Sequence, residues 1–254
     1  MAIKTHLEKQ ILWVTLDRPK SLNALTSDMH QGLQEVFDDY AANTDARVCV
    51  VTGAGDKAFC AGSDLKDGLS GSYPPGGYAG LSDRFDLGKP VIAMVNGFAL
   101  GGGFELALSC DLIIASDTAS FGLPEPLVGA VALGGGMHRL PRQIGLKNAM
   151  GLLLTSRHVS AAEGYRMGFV NEVVAPDDLR ATTERWCADI LKGSPISIET
   201  TKAVAMKGLD EADLATALKA QADYDSFKRW QQAEDTMEGI NAFVEKRKPE
   251  WKGR

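Results

Sequence analysis

The chain is poor in the residues that most often carry metal and thiol chemistry. It has four cysteines in 254 residues (Cys49, Cys60, Cys110 and Cys187), and no two of them form a C-x-x-C pair. Two lie in or beside apolar, strand-like runs, so reduced thiols are expected rather than disulfides. The four histidines (His6, His30, His138 and His158) are scattered, without paired cysteine–histidine spacing. There is no H-E-x-x-H and no G-x-S-x-G elbow, which disfavours a metal site and a Ser-His-Asp hydrolase. Excess positive charge is also absent: 27 basic against 33 acidic residues give a net charge of -6. Wholesale nucleic-acid binding is therefore not expected, and an anionic ligand needs local basic residues. No apolar run approaches a membrane span, and Met1-Ala2-Ile3-Lys4-Thr5 offers no apolar signal core. A cytoplasmic location without membrane association is the expectation.

Composition is otherwise ordinary for a globular protein, at 44% hydrophobic and 24% charged residues. The length suits one large domain or two small ones. The central stretch runs from Val95 to Ala107, VNGFALGGGFELA. It reads as the end of a buried strand (Val91 to Val95), a short turn, and three glycines (Gly101, Gly102, Gly103) opening a helix. A helix start leaves backbone N–H groups unpaired and carries partial positive charge, so it can hold a developing anion. Glu105, three residues after Gly102, falls one turn on, near whatever those groups hold. An anion hole beside a carboxylate is a catalytic arrangement in outline. The bland reading is a glycine-lined packing seam. A P-loop fits poorly: Gly97 and Gly102 have its spacing, but Gly103-Phe104 stands where Lys-Ser/Thr is required.

In chain order, residues 3–16 suggest two strands. Thr26 reads as the N-cap of a helix from 27 to about 42 with Met29, Leu33, Val36, Phe37 and Tyr40 on one face. A buried strand at 47–52 is followed by Gly53-Ala54-Gly55-Asp56-Lys57-Ala58, a weak dinucleotide fingerprint. No helix begins after it, since Phe59 to Leu65 reads as a second strand and turn. Residues 68–80, rich in glycine and proline, read as a mobile loop or a lid. A strand at 111–115 precedes Glu125, which Pro124 and Pro126 fix stiffly in place. A loop carboxylate in the apolar company of Leu123, Leu127 and Val128 suits proton transfer near neutrality. Gly134-Gly135-Gly136 opens a helix to about Ile144, with a break or kink expected at Pro141. Helices at 146–155 and 160–167 and a strand at 169–174 follow. Beyond Pro176 the pattern is helical, at about 177–192, 196–207, 211–227 and 231–246. This organisation suggests a strand-rich core over 1–192 and a helical region over 193–254. The basic tail, Glu245 to Arg254, is solvated or meets a phosphate.

Two segments, Lys57 to Lys66 (KAFCAGSDLK) and Lys89-Pro90 through Asp111, resemble the signature regions of the crotonase (enoyl-CoA hydratase/isomerase) superfamily. Phe121-Gly122-Leu123-Pro124-Glu125 is similar to its second catalytic region, and Ala161 to Val174 to a further one. Pro75 to Leu81 and the ending Trp251-Lys252-Gly253-Arg254 look like the carnitinyl-CoA dehydratase branch. The resemblance covers essentially the whole chain. It implies an α/β fold, a spiral of ββα units followed by helices that build a homotrimer, often doubled to a hexamer. It implies an acyl-CoA thioester substrate, with CoA part of that substrate, no separate cofactor and no metal. The thioester oxygen would sit between the N–H groups of Ser63 and Gly102. Glu105 and Glu125 would serve in water activation and in proton transfer at Cα. Substrate and CoA contacts would come from Ala24, Ala61, Asp64, Leu65, Lys66, Gly101, Leu133 and Lys246, the last from the same or a neighbouring subunit. Lys66 is the first candidate for the CoA phosphates, with Arg18 and Lys20 nearby. One departure is Ala132-Leu133, where many hydratases carry Pro-Gly or Pro-Asp; the resemblance puts this loop near the reacting water, so it bears on substrate shape.

The expected activity is reversible syn hydration of a trans-2-enoyl-CoA. A carnitinyl-CoA dehydratase-like reaction and an enoyl-CoA isomerase are the alternatives, and a non-catalytic acyl-CoA binder is a third class. Two carboxylates favour hydration over isomerisation, which needs only one.

Overall fold

Strands come first because the N-terminal half alternates or runs continuously apolar, and helices take over where the apolar period lengthens. The computed structural model describes residues 2–67 and 73–254. In chain order its elements are β1 (Ile3–Glu8), β2 (Ile11–Leu16), α1 (Ser27–Ala42), β3 (Val48–Gly53), β4 (Ala58–Cys60), β5 (Val91–Val95), β6 (Phe98–Leu100), α2 (Gly102–Ser109), β7 (Leu112–Ser116) and β8 (Ser120–Gly122). Then come α3 (Gly136–Ile144), α4 (Leu146–Thr155), β9 (Val159–Ser160), α5 (Ala161–Met167), β10 (Glu172–Val174), α6 (Leu179–Leu191), α7 (Pro195–Gly208), α8 (Leu214–Ala220), α9 (Asp225–Gln231) and α10 (Glu234–Val244).

The chain divides into a larger unit, up to Arg84 plus Val91–Arg185, and a smaller one, Phe85–Pro90 plus Trp186–Arg254. The division falls within α6 rather than after residue 192.

The larger unit holds two sheets. One has the order β1-β2-β3-β5-β7-β10, the other β4-β6-β8-β9. Strands β1 and β2 form a hairpin, and β3, β5, β7 and β10 extend the first sheet in parallel. Both β3 and β5 are buried along their whole length, as strands covered on both faces must be. Phe104, Phe121 and Phe169 fill the space around α2 with ring centroids 5.1–5.3 Å apart. Met29, Leu33, Phe37 and Tyr40 of α1 are buried as expected, Val36 only in part, and the polar His30 and Gln34 join them.

Three expectations need correction. The turn foreseen between Val95 and the glycines contains a strand, β6, because Phe98–Leu100 pairs in register with β8 and, across an irregularity between Ala58 and Cys60, with β4. Of the break or kink expected at Pro141, the break does not occur: helix α3 continues through it and stops at Gly145, whose φ of +78° a side chain would resist. The helix foreseen over 211–227 is two: Gln221–Asp223 tightens into a 3-10 turn and Tyr224 is extended.

The glycine- and proline-rich segment is not uniformly a loop on the surface. Residues 68–72 lie outside the described residues. Gly76 to Gly80 is buried, held by α1: the Gly76 N–H donates to Gln34 Oε1 at 2.6 Å and the Ala79 N–H to His30 Nδ1 at 3.0 Å. A backbone without its own sheet or helix needs such partners to be buried.

In the smaller unit, Asp235 is buried and accepts from Ser194 Oγ and from the N–H groups of Lys252 and Gly253. The basic tail is therefore folded back, with Arg247 paired to Glu238 and Lys252 to Glu234. Among the described residues, no helix is long and apolar enough to cross a membrane.

Candidate active site

Helix α2 begins at the point where the two sheets hand the chain over. Strand β6 ends at Leu100, Gly101 turns with φ +54°, and Gly102 is the first helical residue. The N–H groups of Phe104 and Glu105 both turn back to the Gly101 carbonyl. Gly102, ahead of them, follows an extended segment and has no helical carbonyl behind it to accept its N–H. Gly103 needs its missing side chain for another reason: a Cβ there would lie 2.0 Å from the Cys60 carbonyl oxygen of β4.

Ser63 reaches this place by a second route. After β4 the chain turns through Gly62, φ +91°, whose Cα faces the Gly102 nitrogen. The Leu25 N–H donates to the Gly62 carbonyl and the Asp64 N–H to the Leu25 carbonyl, a parallel bridge centred on Ser63. In that pattern the N–H of Ser63 itself points away from Leu25. Two backbone donors from different elements thus stand near one helix start. Tyr78 lies against both: its hydroxyl is 3.2 Å from Ser63 Oγ, and its ring lies over the Cα of Gly102. Burial pushes the phenol well above its ordinary pKa, so it is a neutral hydroxyl.

Two carboxylates flank the same turn. Glu105, only 3% exposed, accepts the Gly136 N–H on Oε1 at 2.8 Å. Burial pushes its carboxyl up to about 7, and the charge of Glu125 adds to the rise against the Gly136 and Gly134 N–H groups. Gly134 and Gly136 crowd this carboxylate closely enough that a Cβ on either would come within 2.8–3.0 Å of an oxygen. Glu125 opens a short 3-10 turn after Pro124 and aims Oε1 at Gly101, 3.1 Å from where a Cβ would be. Its Oε2 is buried and accepts no hydrogen bond from the described residues, and burial raises its pKa too. One carboxylate held by backbone donors and one oxygen without a donor can accept and deliver protons at neighbouring atoms of a bound group.

The remaining sequence candidates form a seam beside the donors. Arg18 spans it, giving one nitrogen to Asp64 at 2.8 Å and another to the Ala24 carbonyl at 2.6 Å. The Ala61 N–H donates to the Leu22 carbonyl. Leu65 and Lys66 are exposed at the rim, and the Lys66 N–H caps Asp64. Arg18 is spent on this brace, whereas Lys66 and Lys20 are both exposed. Leu133 is 73% exposed while Ala132 beside it is buried, so Leu133 faces outward one residue before Gly134. Lys246, exposed just beyond α10, belongs to the smaller unit. Sequence reading did not foresee Tyr78, Gly134 or Gly136 as neighbours of the carboxylates. The three glycines in a row were the one available signal. Among the described residues, no group of three or more His, Cys, Asp or Glu side chains could hold a metal ion.

Comparison with known proteins bears on this arrangement. The family model for enoyl-CoA hydratase/isomerase matches residues 6–254. The chain is similar to the carnitinyl-CoA dehydratase of Proteus mirabilis, with 40% identity over 263 residues and all of both chains covered. It is similar to that of Citrobacter koseri at 41% identity over 253 residues, covering 96% of this chain and 95% of the relative. Among solved structures, enoyl-CoA hydratase from Mycobacterium tuberculosis superposes with a TM-score of 0.93 at 32% identity, covering 100% of this chain and 99% of that one.

Proposed function

Since the chain belongs to the enoyl-CoA hydratase/isomerase family and is an enzyme of that crotonase fold, we propose that it catalyses reversible syn hydration of a trans-2-enoyl-CoA thioester. The observation that carries this reading is the pair of carboxylates, Glu105 and Glu125, on either side of the Gly101–Gly103 helix start. The thioester oxygen accepts from the N–H groups of Ser63 and Gly102 and takes the charge of the enolate. Removing one such donor costs on the order of 100- to 1,000-fold in rate. Glu105, ionised, takes a proton from water as the oxygen bonds to Cβ. Glu125, protonated, delivers a proton to Cα. Dehydration of a 3-hydroxyacyl-CoA runs the same steps backwards with the proton states exchanged. Lys66, at the rim of the seam three residues after Ser63, meets a phosphate of the CoA, and Lys246 is a further candidate.

Likeness at 40% identity to carnitinyl-CoA dehydratases favours a second reading, in which the acyl group is that of the carnitinyl/crotonobetainyl-CoA pair. Both readings share one chemistry and differ in the acyl group. Crotonyl-CoA and crotonobetainyl-CoA offered in parallel, with loss of the enoyl-thioester absorbance as signal, distinguish them. Glu105→Gln and Glu125→Gln are each expected to lose nearly all hydration while CoA-ester affinity stays within a few fold. Near wild-type turnover in either variant removes that glutamate from the mechanism.

A further inference from the structure

Tyr78 is polar, 3% exposed, and unused by the chemistry above. Its hydroxyl is within 3.2 Å of Ser63 Oγ. Its ring fills the place where a side chain at Gly102 would begin: a Cβ there would come within 2.1 Å of the phenol oxygen and the carbon that bears it. One phenol therefore touches the two residues assigned as donors to the thioester oxygen. Those residues arrive on separate elements, Ser63 after β4 and Gly102 at the start of α2, and no backbone hydrogen bond joins them among the described residues.

We infer that Tyr78 is a positioning residue that sets the spacing of the Ser63 and Gly102 donors, its hydroxyl latched to the serine and its ring seated on the bare glycine. The inference rests on the reading of Ser63 and Gly102 as those donors. Tyr78 is itself well fixed. Its N–H donates to Ser82 Oγ at 2.7 Å, and its ring packs edge-on to His30 with centroids 4.6 Å apart. The neighbouring Gly76 and Ala79 N–H groups are held by Gln34 and His30. A latch must be stiffer than what it positions, and these contacts make it so. The geometry is worth holding, because donors stabilise an oxyanion only when they lie about 2.7–3.1 Å from where its charge develops. It also gives Gly102 a reason to be glycine that helix formation does not supply.

Tyr78→Phe keeps the ring and removes the latch. The readout that packing alone does not move is the absorption band of bound cinnamoyl-CoA, which shifts to the red as its carbonyl is polarised. Wild-type protein is expected to show the shift. Tyr78→Phe is expected to lose about half of it, with kcat down about tenfold, KM within about threefold and an unchanged melting temperature. Ser63→Ala cuts the same bond from the other side, together with the one Ser63 makes to Tyr73, and the double variant is expected to be no worse than the poorer single one. An unchanged band shift and kcat in Tyr78→Phe overturns the inference, as does full additivity in the double variant. A wild-type protein that polarises no bound thioester overturns the donor assignment, and the inference with it.

Discussion

At the scale of single residues, the burial of Glu105 links activity to stability. Its carboxyl is raised from an ordinary 4.5 to about 7 because burial penalises the ionised form, and Glu125 adds to the effect whenever it is ionised too. If Glu105 is the base in hydration, kcat/KM for crotonyl-CoA rises with pH through about 7. A limb at the ordinary carboxylate position instead would remove it from that role. Glu125, the acid, must keep its proton, so its raised pKa preserves activity on the alkaline side. The stability effect has a definite sign. A folded pKa above the unfolded one stabilises at low pH, and the contribution is lost as pH rises through about 7. The full loss is about 3 kcal/mol, at roughly 1.4 kcal/mol per unit. Glu105→Gln is therefore expected to be inactive yet more stable than wild type at pH 8.5, by up to about 3 kcal/mol in urea denaturation. Equal midpoints there would show that the buried charge is compensated.

At the scale of elements, α1 holds the Tyr78 segment through a neutral histidine. Nδ1 of His30 must keep a lone pair to accept the Ala79 N–H, and burial lowers its pKa from 6.5 to about 4, against the opposing charge of Asp67. The unfolded chain takes up the proton first, so this contribution is complete above pH 6.5 and is lost as pH falls to about 4. The loss amounts to about 3 kcal/mol. His30→Gln is expected to be less stable than wild type at pH 7, with the gap closing toward pH 4; a constant gap sinks this account. Between β4 and α2 the contact is tighter still. Gly103→Ala puts a methyl 2.0 Å from the Cys60 carbonyl and is expected to cost about 1–3 kcal/mol in urea unfolding. These junctions mark where sequence reading stops. Strands β3 and β5, helix α1 and the start of α2 were legible from apolar period, Thr26 and the glycines, and Glu105 and Glu125 from spacing and prolines. Tyr78 was not, because a lone tyrosine in a glycine-rich run has no period and its partners are 15 and 24 residues away in sequence. Strand β6 was hidden because three residues give too short an alternation to read, and only pairing with β4 and β8 defines them.

At the scale of the molecule, the smaller unit exposes Met206, Leu209, Leu214, Met237, Ile240 and Phe243, with Phe243 at 85%. Ile196, grouped with them by sequence, is buried. Apolar surface of this kind is usually covered in an assembly. Closed cyclic symmetry, as the resemblance implies, makes three or six copies of the 27.2 kDa chain the expected particle in sedimentation equilibrium. Removing the residues after Lys228 is expected to give aggregated or dissociated, inactive protein; an active wild-type monomer would sink this. The sheets carry one more consequence, for synthesis. In both, strand order follows chain order, so each new strand adds at one edge and none is inserted between two others. A chain leaving the ribosome can thus build its sheets rung by rung, with every template already made. The longest pause in the six-stranded sheet lies between Ser116, the end of β7, and Glu172, where β10 begins. At roughly 5–20 residues per second, translation crosses that stretch in about 3–11 s. Throughout that time β7 is an open, apolar edge of the kind that recruits stray strands. Nascent chains arrested in this window are the ones expected to need a chaperone most.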